Sequence, residues 1–299
     1  MGAERMWDLV IMATVRGGLY SLMAVGLSLG LGVANISNFA HGEFYMLGAY
    51  FAYFGYTILH LGPLGGLVGA ALGGLIVGVL VEKGLLSPLR NRSGADWIMN
   101  TFLLTLGLSI ILQNSAKLFW GARYRGVTQL WAGSVRLLST MEIPVDRVLS
   151  SVIAFGAIGG FWLFLTRTQP GRAVRAVAQD QTGAMLVGID LKRIYMITFA
   201  ASCALAALAG GSLISLTPAY PTVGLTPLYK SWFVLILIGM GTVGGCVVGG
   251  LVVAVLETVS YYFLGAGWQD AVSLSLIVLI LLLKPTGIFG KAVRTVWEN

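Results

Sequence analysis

Long uncharged runs alternate with short polar stretches along most of the chain. A helix rises 1.5 Å per residue, so about 20 apolar residues cross a hydrocarbon core. The first run, Gly17 to Gly42, ends at Glu43. Phe44 to Val81 carries no formal charge and is long enough for two spans, with Gly62-Pro63 as the turn between them. Trp97–Ala116, Val148–Thr166 and Ile194–Thr217 each read as one span. Ser231 to Leu256, continued past Glu257 to Gln269, holds two spans around a glycine-rich break. Ala271–Leu283 becomes a span with its flanks. The pattern predicts an all-α polytopic membrane protein of about eight or nine transmembrane helices. It reads as a single transmembrane domain over residues 1–299.

Composition supports this class and excludes others. The chain is 57% hydrophobic and 10% charged, against about 25% charge in soluble domains. Mean hydropathy is +0.85. A soluble enzyme, a disordered chain and a disulfide scaffold are all excluded. Cys203 and Cys246 lie in apolar runs and read as small packed hydrophobes. The apolar run after Met1–Asp8 is too long for the h-region of a cleavable signal peptide. The net charge of +7 is read as orientation signal, not as affinity for nucleic acid.

Three stretches, Glu82–Asp96, Arg167–Arg193 and the tail from Lys284, hold eleven of the 19 Lys and Arg. The positive-inside rule places them in the cytoplasm. Parity then puts the loop at about 117–147 outside, although it carries five basic residues of its own. Glu142 and Asp146 offset part of that charge, and Trp120, Tyr124 and Trp131 read as interfacial anchors.

Two segments read as broken helices, which a membrane tolerates only where protein or a cavity shelters the backbone. Residues 35–43 place Asn35, Asn38, His41 and Glu43 between apolar runs. An ionisable group at membrane depth is costly and is by default a functional candidate. The alternative is a short polar loop at the membrane face, with Asn38 and His41 capping helix ends. His41 and Glu43, without a third ligand nearby, do not make a metal site, and no metal is expected. The second segment is residues 239–250, where Gly241, Gly245 and Gly249 recur every fourth residue, as Gly65, Gly69 and Gly73 do earlier. Such stripes let helices approach closely. The dinucleotide fingerprint at Gly239, Gly241 and Gly244 is rejected, because its flanks are hydrocarbon rather than a βαβ unit. Glu257, just beyond, is expected to face a cavity or partner.

A third segment, at about 167–193, is basic and amphipathic. Arg172 to Val187 reads as one helix started by Pro170-Gly171 and stopped by Gly188. It suits either a helix lying on anionic lipid or a docking helix for a cytoplasmic partner. The chain has no Walker A sequence, so nucleotide hydrolysis is not expected of it, nor any cofactor.

Together these segments resemble the LivH-type permeases of branched-chain amino acid ABC transporters. The resemblance runs from about Gly17 to Gly290. It is carried by Asn38-x-Ala40-His41-Gly42-x-x-x-Met46-x-Gly48-Ala49-Tyr50, by Pro88-Leu89-Arg90, and by Thr105-x-Gly107-x-Ser109 leading to Gln113-Asn114. In the basic loop it is carried by Arg172, Ala176, Asp180, Ala184, Gly188 and Ile189, followed by Ala209-Gly210. Gly239, Gly241, Gly245, Gly249, Gly250 and Glu257 match, as does Lys284-Pro285-x-Gly287-x-Phe289-Gly290. Cys246 stands where the family has Ala, and Ala254 where it has Gly. The resemblance implies a permease subunit of an importer in a bacterial-type inner membrane, not an enzyme. Its implied partners are a second, LivM-like permease, two cytoplasmic ATPases that use ATP, and an extracytoplasmic substrate-binding protein. Branched-chain amino acids are the first substrate class, with urea, amides or small aromatic acids as alternatives. A self-sufficient secondary transporter is the competing mechanism. Asn35, Asn38, His41, Glu43 and Glu257 are candidates for the substrate pathway. Arg172, Arg175, Ala176, Asp180, Ala184 and Gly188 are candidates for ATPase coupling, and Gly241, Gly245 and Gly249 for helix packing.

Overall fold

The computed structural model describes residues 2–92, 97–137, 141–239 and 243–289. The helices in chain order are α1 (Gly2–Ala34), α2 (His41–Thr57), α3 (Gly62–Val81), α4 (Ser87–Arg92), α5 (Trp97–Trp120) and α6 (Val145–Arg167). They continue as α7 (Gln169–Gln179), α8 (Gln181–Leu186), α9 (Leu191–Ser212), α10 (Leu225–Ile238), α11 (Val243–Leu264) and α12 (Gln269–Leu283). A π-helical turn, Glu82–Leu86, joins α3 to α4. One antiparallel hairpin, β1 (Ser134–Leu137) with β2 (Met141–Pro144), precedes α6.

Seven helical stretches among the described residues are long and apolar enough to cross a membrane. α2, with 17 residues, and α10, with 14, are shorter. The chain is a multi-pass membrane protein with two opposite faces. On one, the hairpin face, Arg125 pairs through its backbone with Ala219, and Trp120 packs on Tyr50 with ring centroids 4.2 Å apart. On the other, the Gln181 side chain donates to the Val33 carbonyl at 3.0 Å. There the Arg90 guanidinium lies 4.3 Å from the Tyr195 ring and 5.4 Å from that of Trp97.

Helices in lipid gain little from hydrophobic burial against one another, so close backbone approach and polar contacts hold them. α2, α3 and α9 meet in this way. A side chain on Gly48 would overlap the Ala207 backbone, and one on Gly210 the Tyr45 carbonyl. The stripe on α3 that does this is shifted from the expected one. Gly66, Ala70, Gly74 and Gly78 are buried, and Gly74 and Gly78 face Cys203 and its neighbours on α9. Gly69 faces open space, and Gly73 faces only the Phe51 ring. Two interleaved series with the same period cannot be told apart by spacing.

The basic segment also differs from expectation: it is two helices, α7 and α8. Asp180 ends the first and caps the second, its Oδ1 accepting from the Thr182 amide at 2.9 Å. A capping carboxylate outweighs the helical propensity around it. Gly188, at φ +85°, stops the pair as expected.

Candidate translocation site

α1 ends at Ala34, and Asn35 follows in the left-handed region at φ +50°. This conformation suits Asn just past a helix end, and Asn35 is exposed. It stops α1 and does not reach the polar cluster that follows. The chain then turns back without helix to Ala40. The Thr105 hydroxyl fastens this stretch to α5, donating to the Ser37 carbonyl at 3.2 Å and accepting from the Phe39 amide at 3.3 Å.

α2 begins at His41, and its first turn is fully buried. Glu43 Oε1 accepts from the Ser109 hydroxyl at 2.9 Å and from the Gln113 amide at 2.7 Å. Thr105 and Gln113 lie about 12 and 24 Å along α5 from Trp97 at 1.5 Å per residue. The break at 35–43 therefore sits half-way through the bundle, not at its face.

Three polar side chains there are incompletely satisfied. Asn38 Oδ1 accepts from the Ala40 amide at 3.0 Å, but its Nδ2 has no partner. His41 Nε2–H donates to the Met23 carbonyl at 3.1 Å, which leaves Nδ1 as an unpaired acceptor. Glu43 Oε2 has no partner. Gly26 makes room for the imidazole: an added Cβ would stand 3.0 Å from His41 Cε1. Phe39 stacks on Trp232 of α10 at 5.2 Å and meets Phe102 of α5 edge-on at 5.0 Å.

A second break, not expected from the sequence, faces the first. After α9 the chain has turns and no regular helix from Leu213 to Gly224, and α10 starts at Leu225. Gly224, its N-cap, touches Gly42 backbone to backbone. The N-terminal ends of two half-helices, α2 and α10, thus abut inside the bundle. Each such end carries the positive pole of its helix, while the amides of His41, Glu43, Leu225 and Leu228 are taken by nearby carbonyls. The glycine-rich segment at 239–250 is a different feature. Gly239, at φ +96°, ends α10, and from Val243 onward the chain is continuous helix. Gly249 of α11 packs on Val234 and Ile238 of α10, and Gly245, also on α11, is half-buried. Gly241 lies outside the described residues.

Glu257 does not join the α2 cluster. It accepts from the Tyr20 hydroxyl at 2.8 Å and from the Lys230 ammonium, which also donates to Asp270. Lys230 and Glu257 are both buried. The two polar groups are linked along α1, where Tyr20 and Met23 lie one turn apart, and along α10, which carries both Lys230 and Trp232. Lys230, Tyr20, Gln113 and Gly224 were not singled out as site residues. Lys230 was a legible signal, since a lone lysine beside an apolar run needs a counter-charge such as Glu257.

On the opposite face, α7 buries Gly171, Val174 and Val177 against the bundle and exposes Arg172 and Arg175. Its apolar side is therefore not free to lie in lipid. Ala176 is half-buried, Ala184 is buried and Asp180 is exposed. Beyond them Met185, Leu186 and Val187 stand out at 52%, 84% and 78% exposure.

Broken helices meeting half-way through a multi-pass bundle define a membrane transport protein in architecture. Residues 9–282 match the family described as branched-chain amino acid transport system / permease component. The chain belongs to that family. It is 31% identical over 288 residues to the high-affinity branched-chain amino acid transport system permease protein LivH of Salmonella typhimurium, covering 92% of each chain. It is similar to the permease proteins BraD of Pseudomonas aeruginosa and LivH of Escherichia coli at 31% and 30% identity, again over 92% of each chain. No solved structure matches it.

Proposed function

We propose that this chain is the permease subunit of an ABC importer that carries branched-chain amino acids across a bacterial-type inner membrane. It works with a second, LivM-like permease, two cytoplasmic ATPases and an extracytoplasmic binding protein. The observation that carries the reading is the meeting of α2 and α10 at Gly42 and Gly224. Half-helix N-termini favour a substrate carboxylate, and the unpaired Asn38 amide adds a donor beside them. The unpaired Glu43 oxygen is an acceptor for the substrate ammonium. Phe39, Phe102 and Trp232 supply an apolar wall for an aliphatic side chain. Family membership supplies the substrate class. The face bearing α7 and α8 is assigned to the cytoplasm by its basic residues, and Arg172, Arg175 and the exposed Met185–Val187 turn are assigned to ATPase contact.

Co-expression with candidate ATPase, permease and binding-protein subunits tests this directly. The chain should co-purify with the ATPases, and vesicles loaded with ATP should move radiolabelled leucine, isoleucine or valine only when the binding protein is present. Leucine uptake without any ATPase would overturn the assignment.

A further inference from the structure

A cavity lies on the hairpin face, away from α2 and α10. Its volume is about 270 Å³, and it is enclosed by α1, the start of α6 and the stretch after α9. Two arginines line it, Arg16 and Arg147, among Val15, Leu19, Leu213 and Leu216. None of the lining residues is acidic. Arg16 spends one N–H on the Gln269 side chain at 3.0 Å and lies 6.0 Å from the Tyr261 ring. Among the described residues no carboxylate pairs with it or with Arg147. Asp146, adjacent in sequence to Arg147, is buried and takes the amides of Leu130 and Trp131 at 3.2 and 2.8 Å. Asp8, the nearest acid along the described part of α1, is exposed and outside the lining.

We propose that this cavity is a binding site for the phosphate headgroup of an anionic phospholipid, with the start of an acyl chain against its leucines. Depth supports this. Arg147 stands in the first turn of α6, Leu213 follows the last turn of α9, and Arg16, within α1, bonds Gln269 at the start of α12, so both guanidiniums lie level with helix ends, where headgroups are. Charge supports it as well. Two cations without a paired acid leave a surplus that a phosphodiester neutralises, whereas the ammonium of an amino acid would add a third positive charge. Basic pockets between membrane helices hold lipid headgroups on this principle. The inference does not depend on what the protein transports.

The test is native mass spectrometry of the full-length chain, purified with its partner subunits and offered dioleoyl phosphatidylglycerol and dioleoyl phosphatidylcholine together. The wild type should retain phosphatidylglycerol preferentially. Arg147→Gln should lower that preference by roughly fivefold, the factor expected for one interfacial cation. Arg147→Lys should keep part of it. Leu216→Trp, which fills the cavity and leaves both arginines, should abolish it. Melting temperatures in phosphatidylcholine alone identify any variant that fails to fold, and the remaining two then decide. Equal retention by wild type and Arg147→Gln, or full retention by Leu216→Trp, overturns the proposal. So does displacement of the bound lipid by leucine, or shielding of position 147 by a partner subunit in lipid-free complex.

Discussion

Gly42 and Gly224 touch through bare backbone, and a Cβ on either would overlap the carbonyl of the other. Gly42→Ala and Gly224→Ala should each push the half-helix ends apart, at about 1–3 kcal/mol for overpacking. Lower melting temperature and reduced uptake per molecule in the membrane are the expected readouts. Gly69→Ala, which faces open space, should change neither.

Lys230 and Glu257 form a buried pair between α10 and α11, with Asp270 and Tyr20 as further partners. Removing Lys230 leaves Glu257 charged with only the Tyr20 hydroxyl, which costs about 3–5 kcal/mol in comparable buried pairs, whereas removing Glu257 leaves Lys230 its Asp270 partner. Lys230→Met should destabilise strongly and Glu257→Gln less. The double variant should recover most of the loss in a thermal unfolding assay. Additive effects would show that the pair is not coupled.

Asn38→Ala and Glu43→Gln change polar groups with unpaired atoms and leave the Gly42–Gly224 contact intact. Uptake should fall at least tenfold at matched membrane abundance, while loaded binding protein still stimulates the ATPases. His41→Ala should instead lower abundance, since the imidazole fills the space beside Gly26 and bonds Met23. If abundance falls in step with uptake in all three variants, their role is structural.

Reversing charge on the exposed side of α7, or on the turn after α8, should disrupt a docked partner without disturbing insertion. Arg172→Glu and Leu186→Glu are expected to lose co-purification with ATPases. Val174→Glu, on the buried side, should fail earlier, at the level of membrane abundance. Normal assembly in the first two variants would remove this face from the ATPase interface.

Sidedness can be read by single-cysteine labelling in a background lacking Cys203 and Cys246. Positions 90 and 175 should react only from the cytoplasm, and position 125 only from outside. Labelling of position 125 from the cytoplasm would overturn the orientation.

The first break was legible because Asn35, Asn38, His41 and Glu43 interrupt an apolar run, and polar groups in hydrocarbon stand out. Its depth was not legible. That depends on Thr105 and Gln113, which reach it from a helix more than 60 residues away. The second break is unmarked in the sequence for the opposite reason. Residues 213–224 are apolar or small, with no charge to mark them, and what they form depends on the backbone of Gly42. Lys230 and Glu257 belong together, yet spans bounded by charges split the run at Lys230 and hid its partner. Glycine periodicity identified close packing in general, but on α3 it selected Gly65, Gly69 and Gly73 rather than the neighbouring series that faces α9. The capping role of Asp180 turned one expected helix into two.

The glycine and alanine contacts among α2, α3 and α9 also set where the molecule can move. Backbones that meet without intervening side chains have no rotamers to exchange. A slide of one residue, about 1.5 Å along the axis, would drive a Cβ into a carbonyl. These three helices are therefore the stator of the protein. Towards α5, by contrast, α2 and the break before it reach through Glu43 and Phe39, whose side-chain partners can be traded. A gate is expected on that side. Spin labels on α3 and α9 should keep a constant separation through the ATP cycle, while their distances to α5 change.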